Sequence, residues 1–118
     1  MRINVYVDGS GGPDGGYGFF VKETGESFYE KKPDITNNQA EYMAIISALQ
    51  KFADSEHEIV LLSDSKNTVS QLNHEFAINN EKLRELARQA WALIGKIPSI
   101  TISWIPRKEN LAGKMLGS

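Results

Sequence analysis

Apolar and polar residues alternate strictly at the start of the chain. Ile3, Val5 and Val7 share one face of this segment, and polar residues follow each of them. A period of two predicts a β-strand over residues 2–8 that ends at Asp8. The next stretch, residues 9–16, is so rich in glycine that we expect a turn there in which neither strand nor helix persists.

Two short runs of aromatic and β-branched residues follow the turn. They cover residues 17–22 and 27–32 and are joined by Glu23-Thr24-Gly25-Glu26. A short connection with a glycine near its middle predicts a hairpin. The first third of the chain is therefore expected to form a three-stranded antiparallel meander.

The apolar period becomes helical after Pro33. Apolar residues recur at helical spacing from Ala40 to Phe52, and the polar residues just before them are candidate N-caps. This pattern predicts a helix over roughly residues 38–53. Similar patterns predict further helices at about residues 66–73, from Glu81 to about Gly95, and from Asn110 to Leu116.

Two further strands are predicted in the second half. Residues 58–63 form a nearly continuous apolar run, which is typical of a strand buried on both faces, and residues 100–105 alternate. The order of elements predicts an α/β fold, with a five-stranded mixed sheet flanked by helices and one domain over residues 1–118. In that sheet three antiparallel strands precede two parallel ones. Trp91 and Trp104 lie in apolar stripes and are predicted to be core residues.

The composition excludes several kinds of protein and site. No apolar stretch approaches the ~20 residues of a membrane span, so we expect no membrane association. The N-terminus enters the first strand directly, which predicts no signal peptide. The chain has no cysteine and two histidines. Disulfides and zinc centres are therefore not expected, and we expect a cytoplasmic protein.

The same composition limits metal and nucleic-acid binding. Without cysteine, a metal site must be built from carboxylate and amide oxygens, which favours Mg²⁺, Mn²⁺ or Ca²⁺. The formal net charge is -2. Strong non-specific nucleic-acid binding by charge alone is therefore not expected.

Acidic residues follow the strands that are predicted to be neighbours. Asp8 closes the first strand and Asp64 follows the fourth, and ligands collect at the carboxyl ends of strands in open α/β sheets. Glu41 is predicted in the first turn of the long helix, where the helix dipole favours a carboxylate. Converging carboxylates repel one another unless cations neutralise them, so the three predict a site for Mg²⁺.

Each of these acidic residues also has a purely structural interpretation. Asp8 could be a turn residue, Glu41 a capping-box or dipole partner, and Asp64 the cap of the next helix. Their joint occurrence at the ends of the right elements favours the metal site.

Three segments resemble the catalytic blocks of type 1 ribonuclease H. They are Tyr6-Val7-Asp8-Gly9-Ser10, Thr36-Asn37-Asn38-Gln39-Ala40-Glu41 and Leu62-Ser63-Asp64-Ser65, and the resemblance runs from residue 2 to about residue 105. It implies a ribonuclease-H-like fold and metal-dependent hydrolysis of the RNA strand of an RNA–DNA hybrid. It also implies that Asp8, Glu41 and Asp64 are metal ligands for Mg²⁺, with Mn²⁺ as the alternative.

The last segment departs from that family. A fourth acidic residue usually stands in an Asn-x-x-Ala-Asp type of pattern, but this chain reads Glu109-Asn110-Leu111-Ala112-Gly113-Lys114. We predict that Asn110 replaces the missing ligand through its amide oxygen, with Glu109 as the alternative. A second interpretation, held equal to the first, is that Asn110 is the N-cap of the terminal helix. Loss of one negative charge would weaken one metal site and shift preference toward Mn²⁺.

A histidine and a basic handle that occur in family members also have no counterpart here. Residues 106–109 fill the loop in which that histidine usually stands, and His57 and His74 are predicted to be surface residues. Without a handle, we expect weak substrate binding that salt reduces strongly.

The resemblance also implies a set of substrate contacts. Glycines allow close approach of a strand, and a helix N-terminus offers amides to a phosphate. The candidates are Gly9, Ser10, Gly11, Thr36, Asn37, Asn38, Gln39 and Lys66. For residues 36–38, helix capping is a compatible second role.

The function expected from the sequence is that of a monomeric endoribonuclease. It would cut by two-metal-ion catalysis and leave 5′-phosphate and 3′-hydroxyl ends. The alternatives are a catalytically weak hybrid-binding module and another nuclease on the same fold.

Overall fold

A computed structural model describes residues 1–115 and contains a five-stranded sheet flanked by helices. The strands are β1 (Arg2–Ser10), β2 (Gly16–Val21), β3 (Ser27–Lys31), β4 (Glu58–Ser63) and β5 (Ile100–Trp104). The helices are α1 (Asn37–Lys51), α2 (Lys66–Leu72), α3 (Glu81–Ile94) and α4 (Leu111–Met115), with a 3₁₀ turn at Arg107–Glu109. The predicted end of the last helix, Leu116, lies outside the described residues.

The strand order across the sheet is β3-β2-β1-β4-β5. β1 pairs antiparallel with β2 and parallel with β4, β3 pairs antiparallel with β2, and β5 pairs parallel with β4. The predicted mixed five-stranded sheet is thus confirmed. The register sets Val7 opposite Ser63. Asp8 and Asp64 each follow one member of this pair, so both lie near the C-terminal ends of the neighbouring strands β1 and β4.

One face of β1 lies in the core. Ile3, Val5 and Val7 are buried together with the apolar face of α1, which includes Ile45 and Leu49. Each fully buried side chain of this size contributes roughly 1.5–3 kcal/mol relative to an exposed one. The core therefore holds α1 against the strand that carries Asp8.

Side-chain caps fix where the helices begin. Thr36 and Gln39 form a capping box at α1, in which each side chain accepts a hydrogen bond from the other's backbone N–H, at 3.0 and 2.9 Å. Ser65 caps α2 and Asn80 caps α3. The predicted N-cap region of α1 is confirmed. Asp64 is not the cap of α2, so its carboxylate is available to the site.

Two predictions about the strands were wrong. β1 continues through Ser10, because Gly9 pairs with Tyr17 and Ser10 with Gly16 in the antiparallel ladder. Glycine still makes its backbone hydrogen bonds in a paired strand. The glycine-rich stretch therefore did not stop β1 at Asp8. β4 is buried on one face only: its alternate residues are partly exposed.

Trp104 is also misassigned by the sequence pattern. It is 47% exposed, since it is the last residue of the edge strand β5, and its indole Nε1 donates to the backbone oxygen of Asp64 at 3.1 Å. Trp91 packs against the core as predicted, with the exposed His74 ring stacked on it. His57 is also exposed, so both histidines are surface residues as predicted.

Within residues 1–115, no helix combines the length and the apolar character that a membrane crossing needs.

Replacing Gly9 with alanine tests the close approach of α1 to β1. A Cβ at Gly9 would lie 2.3 Å from the Ala40 carbonyl carbon and 2.7 Å from the Glu41 nitrogen, and backbone atoms cannot swing away. We expect Gly9→Ala to lower the free energy of unfolding by about 3 kcal/mol or more, measured by urea denaturation. The control is Gly95→Ala, whose Cβ would come no closer than 3.6 Å to another atom and should leave stability unchanged or slightly raised. Equal stability of both variants would contradict the observed packing of α1.

Candidate active site

Three carboxylates meet at the edge of the sheet. Asp8 comes from β1, Glu41 from α1 and Asp64 from the residue after β4, and one oxygen of each lies within 4.8 Å of the others. Asp8 and Glu41 are buried and Asp64 is partly exposed. The structure therefore brings together the three acidic residues that the sequence singled out.

Glu41 reaches the site because α1 crosses β1 at Gly9. The Gly9 N–H donates to Glu41 Oε1 at 2.6 Å, and this contact requires the absence of a side chain at residue 9. Glu41 is the fifth residue of α1, not a member of its first turn as predicted. Its capping-box alternative is also wrong, since Gln39 fills that role.

The pKa of Glu41 is raised to about 8. Burial is the largest cause, and the charges of Asp8 and Asp64 add to it, while the hydrogen bond from Gly9 acts in the opposite direction. Without a cation, Glu41 therefore retains a proton at neutral pH. The proton relieves part of the repulsion among the three carboxylates.

The chemistry of these side chains fits a hard divalent cation. They offer only oxygen ligands, and among residues 1–113, whose side chains the structure describes, no Lys or Arg forms an ion pair with Glu41 or Asp64. Carboxylate oxygens suit Mg²⁺, Mn²⁺ and Ca²⁺, and a cation among them would replace the proton on Glu41. The site is thus suited to a metal ion.

Asn110 takes part in the site as a hydrogen-bond donor, and its amide oxygen, the predicted metal ligand, faces the backbone of α4. Its Nδ2 donates to the Val7 carbonyl at 2.9 Å and to Asp64 Oδ2 at 3.1 Å, and its Oδ1 accepts from the Ala112 N–H at 3.0 Å. Two acceptors on one side and a donor on the other fix the orientation of the amide. The capping alternative is confirmed, and Asn110 also positions Asp64. Glu109 is exposed and lies outside the acidic cluster.

A cavity of about 490 Å³ opens over the three carboxylates. Of the predicted substrate contacts, Gly9, Ser10, Asn37 and Asn38 line it. The other four do not: Thr36 and Gln39 form the capping box, Gly11 donates its N–H to Asn37 Oδ1 at 2.7 Å, and Lys66 begins α2.

Five lining residues were missed by the sequence analysis: Asp14, Gly16, Tyr29, Ser65 and Arg107. Arg107 is the only Lys or Arg among the described lining residues. Alternation along the strand predicted for residues 27–32 puts the side chain of Tyr29 on the face opposite those of its two neighbours. This signal could have identified Tyr29 as a lining residue only if the pairing of its strand with β2 had been known.

A family model described as Reverse transcriptase-like matches residues 23–117. The chain belongs to this family. The match covers α1, β4 and β5, and with them Glu41, Asp64 and Asn110.

Two curated proteins are similar over almost the whole chain. The "Putative hydrolase EbsB" of Enterococcus faecalis is 27% identical over 97% of this chain and 90% of its own length. The "Ribonuclease HI" of Halobacterium salinarum is 32% identical over 92% of this chain. That alignment spans 59% of the archaeal protein.

Two solved structures also resemble this chain. The RNase H1 of Halobacterium salinarum superposes with a TM-score of 0.86 at 30% identity, covering 98% of this chain and 94% of that one. LC11-RNase H1 in complex with an RNA/DNA hybrid gives a TM-score of 0.84 at 26% identity, covering 97% and 92%. The chain has a ribonuclease-H-like fold, and these likenesses support a ribonuclease H enzyme.

The raised pKa of Glu41 predicts that stability falls as pH rises. In metal-free protein the native state keeps a proton that the unfolded state releases, so wild-type stability should decline between about pH 4.5 and pH 8. Glu41→Gln imitates the protonated form and removes this dependence. The stability that this variant gains over wild type should grow across this range by on the order of 5 kcal/mol, measured by urea denaturation with chelator.

Glu56→Gln is the control for this experiment because Glu56 is exposed and far from the cluster. It should show no growth of the difference with pH. A pH-independent difference for Glu41→Gln would mean that Glu41 is ionised in the folded protein.

Asn110→Asp tests whether residue 110 acts as a donor. An aspartate cannot donate to Val7 or Asp64 and adds a buried negative charge, so we expect metal-free stability to fall by about 3 kcal/mol. Asn73→Asp is the control, because the exposed Asn73 donates to the Ile102 carbonyl away from the acidic cluster. This variant should lose less than about 1 kcal/mol of unfolding free energy. Thermal and urea unfolding measure both. Unchanged stability of Asn110→Asp would show that the amide nitrogen does not hold Asp64.

Proposed function

We propose that this protein is a metal-dependent endoribonuclease that hydrolyses the RNA strand of RNA–DNA hybrids. The observation that carries the proposal is the convergence of Asp8, Glu41 and Asp64 within 4.8 Å at the carboxyl ends of β1 and β4. Its support is the ribonuclease-H-like fold and the likeness to a ribonuclease HI and to an RNase H1 bound to an RNA/DNA hybrid.

Asp8, Glu41 and Asp64 would hold the metal, with Mg²⁺ as the proposed cofactor and Mn²⁺ as the alternative. A pair of divalent cations held there would supply an activated water and would stabilise the leaving oxygen of a phosphodiester, so hydrolysis would leave 5′-phosphate and 3′-hydroxyl ends. The side chains have distinct tasks in this scheme. Asp8 is presented by the central strand, Glu41 would release its proton to solvent if a cation bound, and Asn110 orients Asp64 by its hydrogen bond.

Substrate binding in this proposal depends on the shape of the hybrid. Gly9 and Ser10 border the cavity beside the carboxylates, and Asn37 and Asn38 start α1, where unpaired amides favour a phosphate. Arg107 adds a positive charge to the rim. Contacts to 2′-hydroxyls and the backbone would distinguish RNA from DNA without reading its sequence.

A second candidate is a hybrid-binding module with little or no turnover. It is favoured by one observation: Asn110 donates to Asp64 where a fourth acidic ligand would be expected. Another nuclease activity on the same fold is the remaining alternative. We also propose that the protein is a monomer. A cytoplasmic location is proposed as well, and the absence of cysteine fits that reducing compartment.

Cleavage of an end-labelled RNA–DNA hybrid tests the proposal. With Mg²⁺ and separately with Mn²⁺, we expect internal cuts in the RNA strand that chelator abolishes. Asp8→Asn should reduce the rate by at least about 100-fold, because it removes a charged ligand. Asp54→Asn is the matched control: Asp54 lies outside the cluster at a φ of 64°, which asparagine tolerates, and the variant should cleave normally.

Other results would change the assignment. Hybrid binding without cleavage by the wild type with either metal would favour the binding module. Cleavage of DNA duplexes in preference to the hybrid would favour the other nuclease.

A further inference from the structure

The pairing of β1, β2 and β3 places an aromatic side chain on the same face of the sheet as Asp8. Asp8 lies opposite Gly18, and Gly18 lies opposite Tyr29. Side chains of residues that are paired across strands project to the same side of the sheet. Between Asp8 and Tyr29 the sheet therefore presents only backbone.

A second glycine makes room for the ring of Tyr29. A Cβ at Gly16 would lie 2.3 Å from Tyr29 Oη and 2.7 Å from Cζ, so the ring covers the position that a side chain at residue 16 would occupy. The ring consequently lies along β2 and borders the cavity over the three carboxylates. Gly16 thus determines where this ring points.

The ring has no partner within the described part of the chain. Tyr29 is 50% exposed, and its side chain forms neither a hydrogen bond nor a ring contact with residues 1–113, the part of the chain whose side chains are described. Its neighbour Phe28 differs, since it stacks on Phe19 on the opposite face with the ring centroids 5.5 Å apart. Packing within the fold accounts for Phe28, but it does not account for Tyr29.

We propose that Tyr29 is a substrate-binding residue whose ring packs against the ribose of a nucleotide flanking the scissile phosphate. This inference rests on the proposed function. Two strand spacings, about 10 Å, separate the backbones of Asp8 and Tyr29, so the ring does not reach the reacting atoms. The wide, shallow minor groove of an A-form-like duplex exposes ribose to such a ring. Tyr29 therefore acts on affinity and not on the chemical step.

Equilibrium binding of a fluorescent RNA–DNA hybrid, by anisotropy at low salt, tests this role together with KM and kcat for cleavage. Tyr29→Ala should weaken binding and raise KM by about fivefold to tenfold with kcat unchanged, and Tyr29→Phe should stay within about twofold of wild type. Phe76→Ala is the matched control, since Phe76 is 49% exposed and borders a different cavity. It should leave both parameters unchanged.

Gly16→Ala provides a second test that leaves Tyr29 in the chain. The nearest atoms to the new Cβ all belong to the end of the Tyr29 side chain, so the ring should be displaced while the backbone stays in place. Gly16→Ala should weaken binding about as much as Tyr29→Ala. The double variant should bind no more weakly than either single one, because both changes remove the same contact. Thermal unfolding of every variant checks that the fold is retained.

The outcomes separate this inference from the proposed function. Hybrid binding that Tyr29→Ala leaves unchanged, or additive losses in the double variant, would overturn the role of Tyr29 alone. Failure of the wild type to bind the hybrid at all would overturn the proposed function and this role with it. If the wild type binds the hybrid without cutting it, the anisotropy measurements still decide the role of Tyr29.

Discussion

The close contact between Gly9 and α1 is the constraint on which the site depends. The backbone of α1 approaches β1 so closely at Ala40 and Glu41 that no side chain fits at residue 9. That approach lets the Gly9 N–H hold the Glu41 carboxylate at 2.6 Å. Apolar burial between β1 and α1 supplies the free energy that keeps a carboxylate next to Asp8 and Asp64 despite their mutual repulsion.

Three separate devices offset that repulsion. In the absence of metal, burial and the neighbouring charges keep a proton on Glu41, as its raised pKa shows. Asn110 offers Asp64 a neutral donor, so the carboxylate is stabilised without a competing positive charge. A divalent cation would be the third device, and it would displace the proton while leaving the Asn110 contact in place. The fold therefore tolerates the acidic cluster without a cation through the proton on Glu41 and the hydrogen bond from Asn110.

Local patterns predicted the elements and the three carboxylates, because alternation marks the strand that carries Asp8, an apolar run marks the strand that precedes Asp64, and the helical period marks the start of the helix that carries Glu41. They could not predict contacts that depend on strand pairing. The Asn110 amide is oriented by the Val7 carbonyl, 103 positions away in the chain, and by Asp64. The exposure of Trp104 follows from the edge position of β5, and the extension of β1 through Gly9 follows from its pairing with β2. In each case the deciding feature is a strand pairing or a tertiary contact that the local pattern does not contain.

The hydrogen bond from Asn110 to Asp64 bears on how a metal and a nucleic acid would bind together. One oxygen of Asp64 already accepts a hydrogen bond from Asn110, so it has less capacity left for a cation than a free carboxylate oxygen has. With three carboxylates in the cluster, a second cation would need further oxygen ligands, and the phosphate of a bound nucleic acid is the natural source. Full metal occupancy would then be linked to substrate binding. Residues such as Tyr29 that hold the nucleic acid would then act through this linkage on the apparent affinities for substrate and metal and not on the chemical step, because they are too far from the phosphate to touch it.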